Sequence, residues 1–392
     1  VLGEGAASKV AHPKYNLGLE MKKKTAGFLL SVVSSGIPAI ASAAAPSLSD
    51  VLVSSGITAA GYVDGSYEAG FNKGQSIAYH AFDTDSNSFE LNQAALTLSY
   101  LPTDGFGGLV NVIAGSDAGV INTSYGTGGS DFALTQAYVE WAHGNFTVIG
   151  GRFVTLSGEE VIDDTKNTNI SRSLLFQNAE PLVHTGVRGS YKFSDAFTAY
   201  LGVSNSALSG DASDTDKHKT AETGLVFTPN TATTVAVTNY YGVDGAATNT
   251  DLFDIVASLQ ATKALQLAVN ADYNRQVGSG TDLYVAGIAA YANLQISDNL
   301  KGSLRGEYLS TKNYAFNADE NPKSKLEEIT LTGDYSLTSS FDVLGELRYD
   351  FSNHKIYPNP GFTDEEAYDG KKSQGEVLLK AIWKFGTPVP TT

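Results

Sequence analysis

From Ile57 to Phe385 the chain alternates polar and apolar residues with a period of two. The clearest run is 265–274, LQLAVNADYN, where Leu265, Leu267, Val269, Ala271 and Tyr273 oppose Gln266, Ala268, Asn270, Asp272 and Asn274. Segment 341–351 sets Phe341, Val343, Gly345, Leu347, Tyr349 and Phe351 against Asp342, Leu344, Glu346, Arg348 and Asp350. This period marks β-strands with one wet and one dry face. Sixteen segments read this way, near 57–71, 89–101, 108–115, 132–142, 146–153, 185–193, 196–204, 219–228, 232–241, 251–262, 265–274, 283–296, 300–310, 326–337, 341–351 and 374–385. Their connections alternate between short turns, such as 143–145, 194–195 and 263–264, and longer ones, such as 72–88, 154–184, 242–250, 275–282 and 352–373. An even-stranded antiparallel barrel with both termini on one side has this rhythm. The prediction is therefore an all-β fold: a transmembrane antiparallel β-barrel of about sixteen strands, with short periplasmic turns and long external loops. The prolines from Pro102 onward all fall in connections or the tail, as ladder bonding requires.

Two features separate lipid from a soluble core. The apolar face carries no charge in the well-alternating segments, where a lysine or arginine would cost about 2–4 kcal/mol at the bilayer midplane. Aromatics also gather at segment ends on that face. Tyr100, Trp141, Phe193, Phe197, Phe227, Phe341 and Phe385 sit beside the short turns, and Phe71, Tyr241, Phe253, Tyr273, Tyr308 and Phe351 beside the long loops. Two such rows are expected where a barrel crosses both membrane interfaces. In 132–142 the phase puts Thr135, Ala137, Val139 and Trp141 outward, followed by a turn at His143-Gly144-Asn145. Segment 89–100 changes phase, which predicts a bulge near Asn92-Gln93 or an end standing above the bilayer. Segment 146–153 alternates weakly, and its arginine places Val148, Gly150 and Arg152 inward.

Composition narrows the partners. There are 42 acidic and 26 basic residues, for a formal charge of −16, which argues against nucleic acid. Cysteine is absent, so disulfides, iron–sulfur clusters and covalently held haem are excluded; no cofactor is implied. The single methionine, Met21, opens MKKKTAGFLLSVVSSGIPAIASAAAP, a basic start, an apolar stretch and a small-residue end that read as a secretory signal over 21–43. Residues 1–20 read as an upstream extension, and 44–56 as a short periplasmic lead-in with a helical turn or two. Removing five lysines and two glutamates with 1–43 takes the formal charge from −16 to −19. The barrel then spans 57–385, and 386–392 is a polar tail. The final segment, EVLLKAIWKF, resembles the last-strand signal of outer-membrane proteins, which implies delivery to the barrel-assembly machinery.

SLSDVLVSSGITAAGYVDGSY (47–67), FELNQAALTLSY (89–100), TQAYVEW (135–141), GRFVTLSGEEVID (151–163) and, most of all, NISRSLLFQNAEPLVHTGVRGSY (169–191) resemble the OmpL-like β-barrel porins of Gram-negative bacteria. The resemblance implies an outer-membrane barrel with pore activity and brings no catalytic residues.

Sixteen strands enclose an aqueous channel. Thirteen acidic residues face inward on this register, among them Asp64, Glu68, Asp254, Asp272, Glu307, Glu328, Glu346, Asp350 and Glu376. The eight basic ones are Arg152, Arg188, Lys192, Lys301, Arg305, Arg348, Lys380 and Lys384. This balance favours cations weakly. The longest connection, 154–184, holds Val161, Ile162, Leu174, Leu175 and Phe176 and is too apolar for a free external loop. It is expected to fold into the lumen, with Glu159, Glu160, Asp163 and Asp164 facing Arg188, Arg305, Arg348 and Lys380 across a constriction; packing over the rim is the alternative. Acidic loops at 210–216, 317–321 and 363–369 lack EF-hand spacing and read as solvated surface. Neither G-x-S-x-G nor H-E-x-x-H occurs, and the histidines are scattered singly. The function expected is passive diffusion of ions or small hydrophilic solutes, in a homotrimer by analogy of fold. The rival readings are a sheath around a partner protein and an outer-membrane hydrolase.

Overall fold

A computed structural model describes residues 48–71, 76–124, 128–208, 217–244, 248–278, 281–313, 323–358 and 370–387. The upstream extension, the signal, residues 44–47, the three acidic loop runs and tail residues 388–392 lie outside them. The strands are β1 (Thr58–Gly70), β2 (Ser88–Tyr100), β3 (Gly105–Ala114), β4 (Phe132–His143), β5 (Phe146–Val154), β6 (Val183–Ser194), β7 (Phe197–Ser204) and β8 (Thr220–Asn230). They continue as β9 (Thr233–Asp244), β10 (Thr248–Gln260), β11 (Leu265–Gly278), β12 (Thr281–Ser297), β13 (Leu300–Lys312), β14 (Lys323–Thr338), β15 (Phe341–Ser352) and β16 (Ser373–Gly386). Each pairs antiparallel with its chain neighbours, and β16 pairs with β1, so the sixteen-stranded barrel closes without an edge. Helix α1 (Leu48–Ser54) precedes β1 and ends at Gly56, whose φ of +73° suits glycine. Helices α2 (Ser116–Ser124) and α3 (Leu174–Asn178) lie in the connections after β3 and β5.

The two faces differ as the alternation predicts. On β11, Leu267, Val269 and Tyr273 are exposed outward while Ala268, Asn270, Asp272 and Asn274 are buried inward. At the short-turn end Tyr100, Trp141, Phe193, Phe227 and Phe385 are exposed on the outer surface. Phe197 lies beside Phe193 with tilted rings whose centroids are 5.4 Å apart, and Phe341 lies opposite Trp383 in the β15–β16 ladder. Phe71, Phe89, Tyr241, Phe253, Tyr273, Tyr308 and Phe351 form the second row. The outward face is not free of charge to its very end. The Asp251–Arg275 pair lies one ladder step beyond Phe253–Tyr273, and Glu327 sits opposite Phe351. Charge begins where the aromatic row stops, which is the depth at which its cost vanishes.

Several local readings change. The phase break in β2 is a bulge, since Asp64 pairs with Gln93 and Gly65 with Leu91, leaving Asn92 as the extra residue. A second bulge falls at Thr135: Asn111 pairs with Gln136 and Val112 with Leu134. Thr135 therefore turns inward, away from Ala137, Val139 and Trp141, and donates from Oγ1 to the Asn111 carbonyl at 3.1 Å. The β4–β5 turn is Gly144-Asn145, two residues rather than three, with Gly144 at φ +58°. One residue fewer in the turn shifts the partner phase by one. Val148 thus pairs with Trp141, Gly150 with Val139, and Arg152 with Ala137 and Thr185, so all three lie on the outward side and the inward placement is corrected. Strand β8 runs through Pro229 to Asn230 across a register shift that spares the missing N–H. The connections after β9 and β11 shrink to 245–247 and 279–280, because those strands continue to the rim.

The interior is packed on the loop side. Inward wall residues Tyr62, Ala95, Ile113, Ala133, Leu344, Leu378 and Ile382 meet Ala81, Phe82, Ala118, Ile121, Ile162, Ile170 and Phe176 from three inward-folded connections. Leu174, Leu175 and Ala179 bury against Ala268, Val285, Ala289, Tyr291, Leu309 and Leu326 on β11–β14. Ile162, Leu174, Leu175 and Phe176 of 154–184 thus bury within the barrel, whereas Val161 is exposed.

Candidate functional site

Residues 155–182 link β5 to β6 through the lumen, and two local caps shape them. The Asp163 carboxylate accepts from the Thr165 amide at 3.0 Å at the start of a single 3₁₀ turn, residues 164–166. The Ser173 hydroxyl accepts from the Phe176 amide at 3.1 Å at the start of α3. Further bonds fasten the segment to the wall, many of them from backbone donors. Leu156 N donates to Tyr240 Oη at 2.9 Å, Gly158 N to Asp254 Oδ1 at 2.9 Å, and Glu159 N to Asn270 Oδ1 at 2.8 Å. Ile170 N and Ser171 N donate to the Glu346 carboxylate at 2.6 and 2.9 Å. Leu174 N and Leu175 N both donate to Glu307 at 2.6 Å. With Asp164 N on Tyr62 Oη at 3.3 Å, these bonds reach strands β1, β9, β10, β11, β13 and β15, so the segment crosses the barrel. A buried loop must place its amides on acceptors, and wall carboxylates supply them here.

Charge pairing adds to this. Arg305 donates to Glu160 Oε1 at 2.6 Å, to Glu328 Oε1 at 2.8 Å and to the Ser171 carbonyl at 2.8 Å. Asp164 accepts from both Arg172 and Lys380. Burial alone would raise the Asp164 carboxyl, but Lys380 and Arg172 together hold it well below the usual carboxylate range. Arg348 donates to Asp350 at 2.9 Å and to the Arg172 carbonyl at 2.6 Å. Arg188 donates to Glu222 Oε1 at 2.5 Å and lies 4.2 Å over the Phe153 ring.

Of the four loop carboxylates expected opposite basic wall residues, Glu160 meets Arg305 and Asp164 meets Lys380. Asp163 instead caps its turn and pairs with Lys166 at 3.4 Å. Glu159 lies on the acidic side of the lumen, where burial and then Glu160 and Asp254 push its carboxyl up to about 7. Arg188 is held by Glu222 and a strand carbonyl, Arg348 touches the loop only through a backbone carbonyl, and Arg152 is outside. Arg172, Glu307, Glu346, Tyr62 and Tyr240 complete the arrangement; the sequence placed Glu307 and Glu346 on the inward wall without a partner in the loop, and did not single out Arg172, Tyr62 or Tyr240. An arginine inside the apolar stretch around Leu174 was the available signal for the first.

The inward basic wall residues are all paired. Besides Arg188, Arg305, Arg348 and Lys380, Lys192 meets Asp195 at 2.7 Å, Lys301 meets Asp334 at 3.6 Å and Lys384 meets Asp342 at 2.5 Å. Among the described residues Asp64, Glu68, Asp254 and Asp272 have no ion-pair partner. Two cavities of about 380 Å³ flank the crossing segment. One is polar and lined by residues including Asp164, Asn167, Gln266, Asn293, Lys301 and Lys384. The other lies against Asn111, Gln136, Leu156, Glu160 and Lys166.

Residues 56–385 match the family described as "Putative beta-barrel porin-2, OmpL-like". No curated protein matches the chain. Among solved structures, the fold is similar to an anion-selective porin from Comamonas acidovorans (15% identity, TM-score 0.59, covering 84% of this chain and 99% of that one). It is also similar to the outer membrane channel DcaP of Acinetobacter baumannii (16%, TM-score 0.55, 84% and 97%). A third is the trimer form of OmpT, an outer membrane protein of Vibrio cholerae (13%, TM-score 0.57, 84% and 99%). At these identities the likeness is one of fold.

Proposed function

Since the chain belongs to the OmpL-like β-barrel porin-2 family and is an integral protein of the bacterial outer membrane, we propose that it is a passive, weakly cation-preferring pore for ions or small hydrophilic solutes. The constriction is formed by residues 155–182, with Glu159, Glu160, Asp163 and Asp164 on the loop and Arg305, Arg348 and Lys380 on the wall. The observation that carries the reading is the crossing segment itself, bonded to walls on several sides of the lumen and flanked by a polar cavity of about 380 Å³. Cation preference is supported by the pairing of every inward basic wall residue while several carboxylates remain without a cation. No chemistry is assigned to the site. Assembly as a trimer, the form in which OmpT has been solved, and delivery through the last strand β16 complete the proposal.

The test is single-channel recording of the refolded chain in a planar bilayer under a potassium chloride gradient. Stable conductance with a cation-signed reversal potential is the expected result. An anion-signed potential overturns the preference, and a barrel that inserts but stays silent overturns the pore.

A further inference from the structure

On the wall two and three strands from Arg305, three carboxylates converge. Glu180 comes from the returning leg of the crossing segment, Asp254 from β10 and Asp272 from β11, and each offers an oxygen within 4.8 Å of the others. Asp254 is 0% exposed, Asp272 5% and Glu180 9%. Among the described residues none of the three has an ion-pair partner.

The surrounding donors engage only part of this oxygen. Asn270 Nδ2 donates to Asp254 Oδ1 at 3.2 Å and to Asp272 Oδ2 at 3.0 Å, and Gly158 N also donates to Asp254 Oδ1, at 2.9 Å. Asp254 Oδ2 and Asp272 Oδ1 are left buried without a hydrogen-bond partner. One amide thus orients both aspartates while leaving an oxygen of each unused. Gly158 closes the pocket from the loop side. Its φ is +93°, and a Cβ there would come within 2.0 Å of Glu180 Oε2, so only glycine lets the glutamate reach the aspartates.

Buried carboxylates gathered without a cation take up either protons or a metal. Their chemistry favours a hard divalent ion, because all donors are oxygen and no nitrogen or sulfur ligand is among them. Calcium holds its oxygens at about 2.3–2.6 Å, so ligands on opposite sides lie up to about 5.2 Å apart, and the separations here fit around one such ion. Magnesium needs a tighter octahedron and keeps more of its water. We propose that Glu180, Asp254 and Asp272 form a calcium site that clamps the returning leg of residues 155–182 to strands β10 and β11. The remaining positions are filled by water, and Asn270 and Gly158 act as positioning groups behind the carboxylates. The site is built from the loop and wall alone and stands whether or not the barrel conducts.

The test is calorimetric titration of calcium into the refolded, EDTA-stripped full chain in detergent at pH 7.5, compared with Glu180→Gln and with Asp254→Asn/Asp272→Asn. Glu180→Gln alters a loop residue and leaves the strands intact, so it remains informative if the double variant fails to fold. The expected result is one equivalent of bound calcium more for the native chain than for either folded variant, with binding by magnesium at least tenfold weaker. Calcium should also raise the native chain's melting temperature and leave that of Glu180→Gln unchanged. Equal calcium uptake by the native chain and Glu180→Gln overturns the site. So does a native chain whose melting point ignores calcium but rises on acidification, since protons would then be what the carboxylates share.

Discussion

Two wall glutamates carry much of the crossing segment through its backbone, and replacing both with alanine should release it. Glu307 and Glu346 each accept two amides at 2.6–2.9 Å. Hydrogen bonds to a charged group are worth about 1.5–3 kcal/mol each, so either glutamate contributes roughly 3–6 kcal/mol to docking. Opposing release is burial of Leu174, Leu175 and Phe176, all at most 4% exposed, at roughly 1.5–3 kcal/mol per side chain. A single Glu346→Ala change therefore leaves the segment docked. Glu307→Ala/Glu346→Ala removes roughly 6–12 kcal/mol before non-additivity, comparable to the apolar term, and each 1.4 kcal/mol is a tenfold change in the docked ratio. The assay is tryptic digestion of the folded barrel read by mass spectrometry at Lys166 and Arg172, which a protease reaches only when the segment leaves the lumen. Expected is protection in the native chain and the single variant, and cleavage at both sites in the double variant. Native-like protection in a folded double variant would refute the reasoning, because the amide acceptors would then contribute little.

Two further outcomes follow from the same geometry. Burial, Glu160 and Asp254 raise the Glu159 carboxyl to about 7, against about 4.5 when free, so its contribution to docking is full below 4.5 and is lost as pH rises through 7. A spin label on Thr168→Cys, in a chain otherwise lacking cysteine, should be less mobile at pH 5 than at pH 8, and Glu159→Gln should flatten that difference. Trp141 and Trp383, the only tryptophans, are both exposed on the outer face near the short turns. Lipids brominated near the headgroup should quench them more than lipids brominated at the acyl terminus, and the reverse order would displace that aromatic row from the interface.

The strands were legible because lipid and water impose a strict period of two over most of the wall, and the β2 bulge at Asn92 was legible because it breaks a strong alternation. The bulge at Thr135 was not, since threonine tolerates either face and left no visible break. Arg152 was placed inward on the preference of arginine for water, whereas a turn one residue shorter determines its side. Inside the lumen the limit was of another kind. Glu307 and Glu346 read as wall charges, and nothing local reveals that a segment some 130 or 176 residues earlier in the chain brings amides to them. Partners that bond through their backbone leave no signature in side-chain pattern.

The ladder between β1 and β16 has a kinetic meaning. It runs from Ala60–Gly386 to Gly70–Glu376, joining residues more than 300 positions apart, while every other strand pair joins chain neighbours. Hairpins can zip locally as they emerge, but this one seam must wait until the last strand has been synthesised, and its closure is the slow, entropically costly event. Until then the curled sheet offers two open edges on which another chain can template. Afterwards no strand end is left from which unravelling can begin, so the protein's persistence is governed by the barrier to reopening one seam.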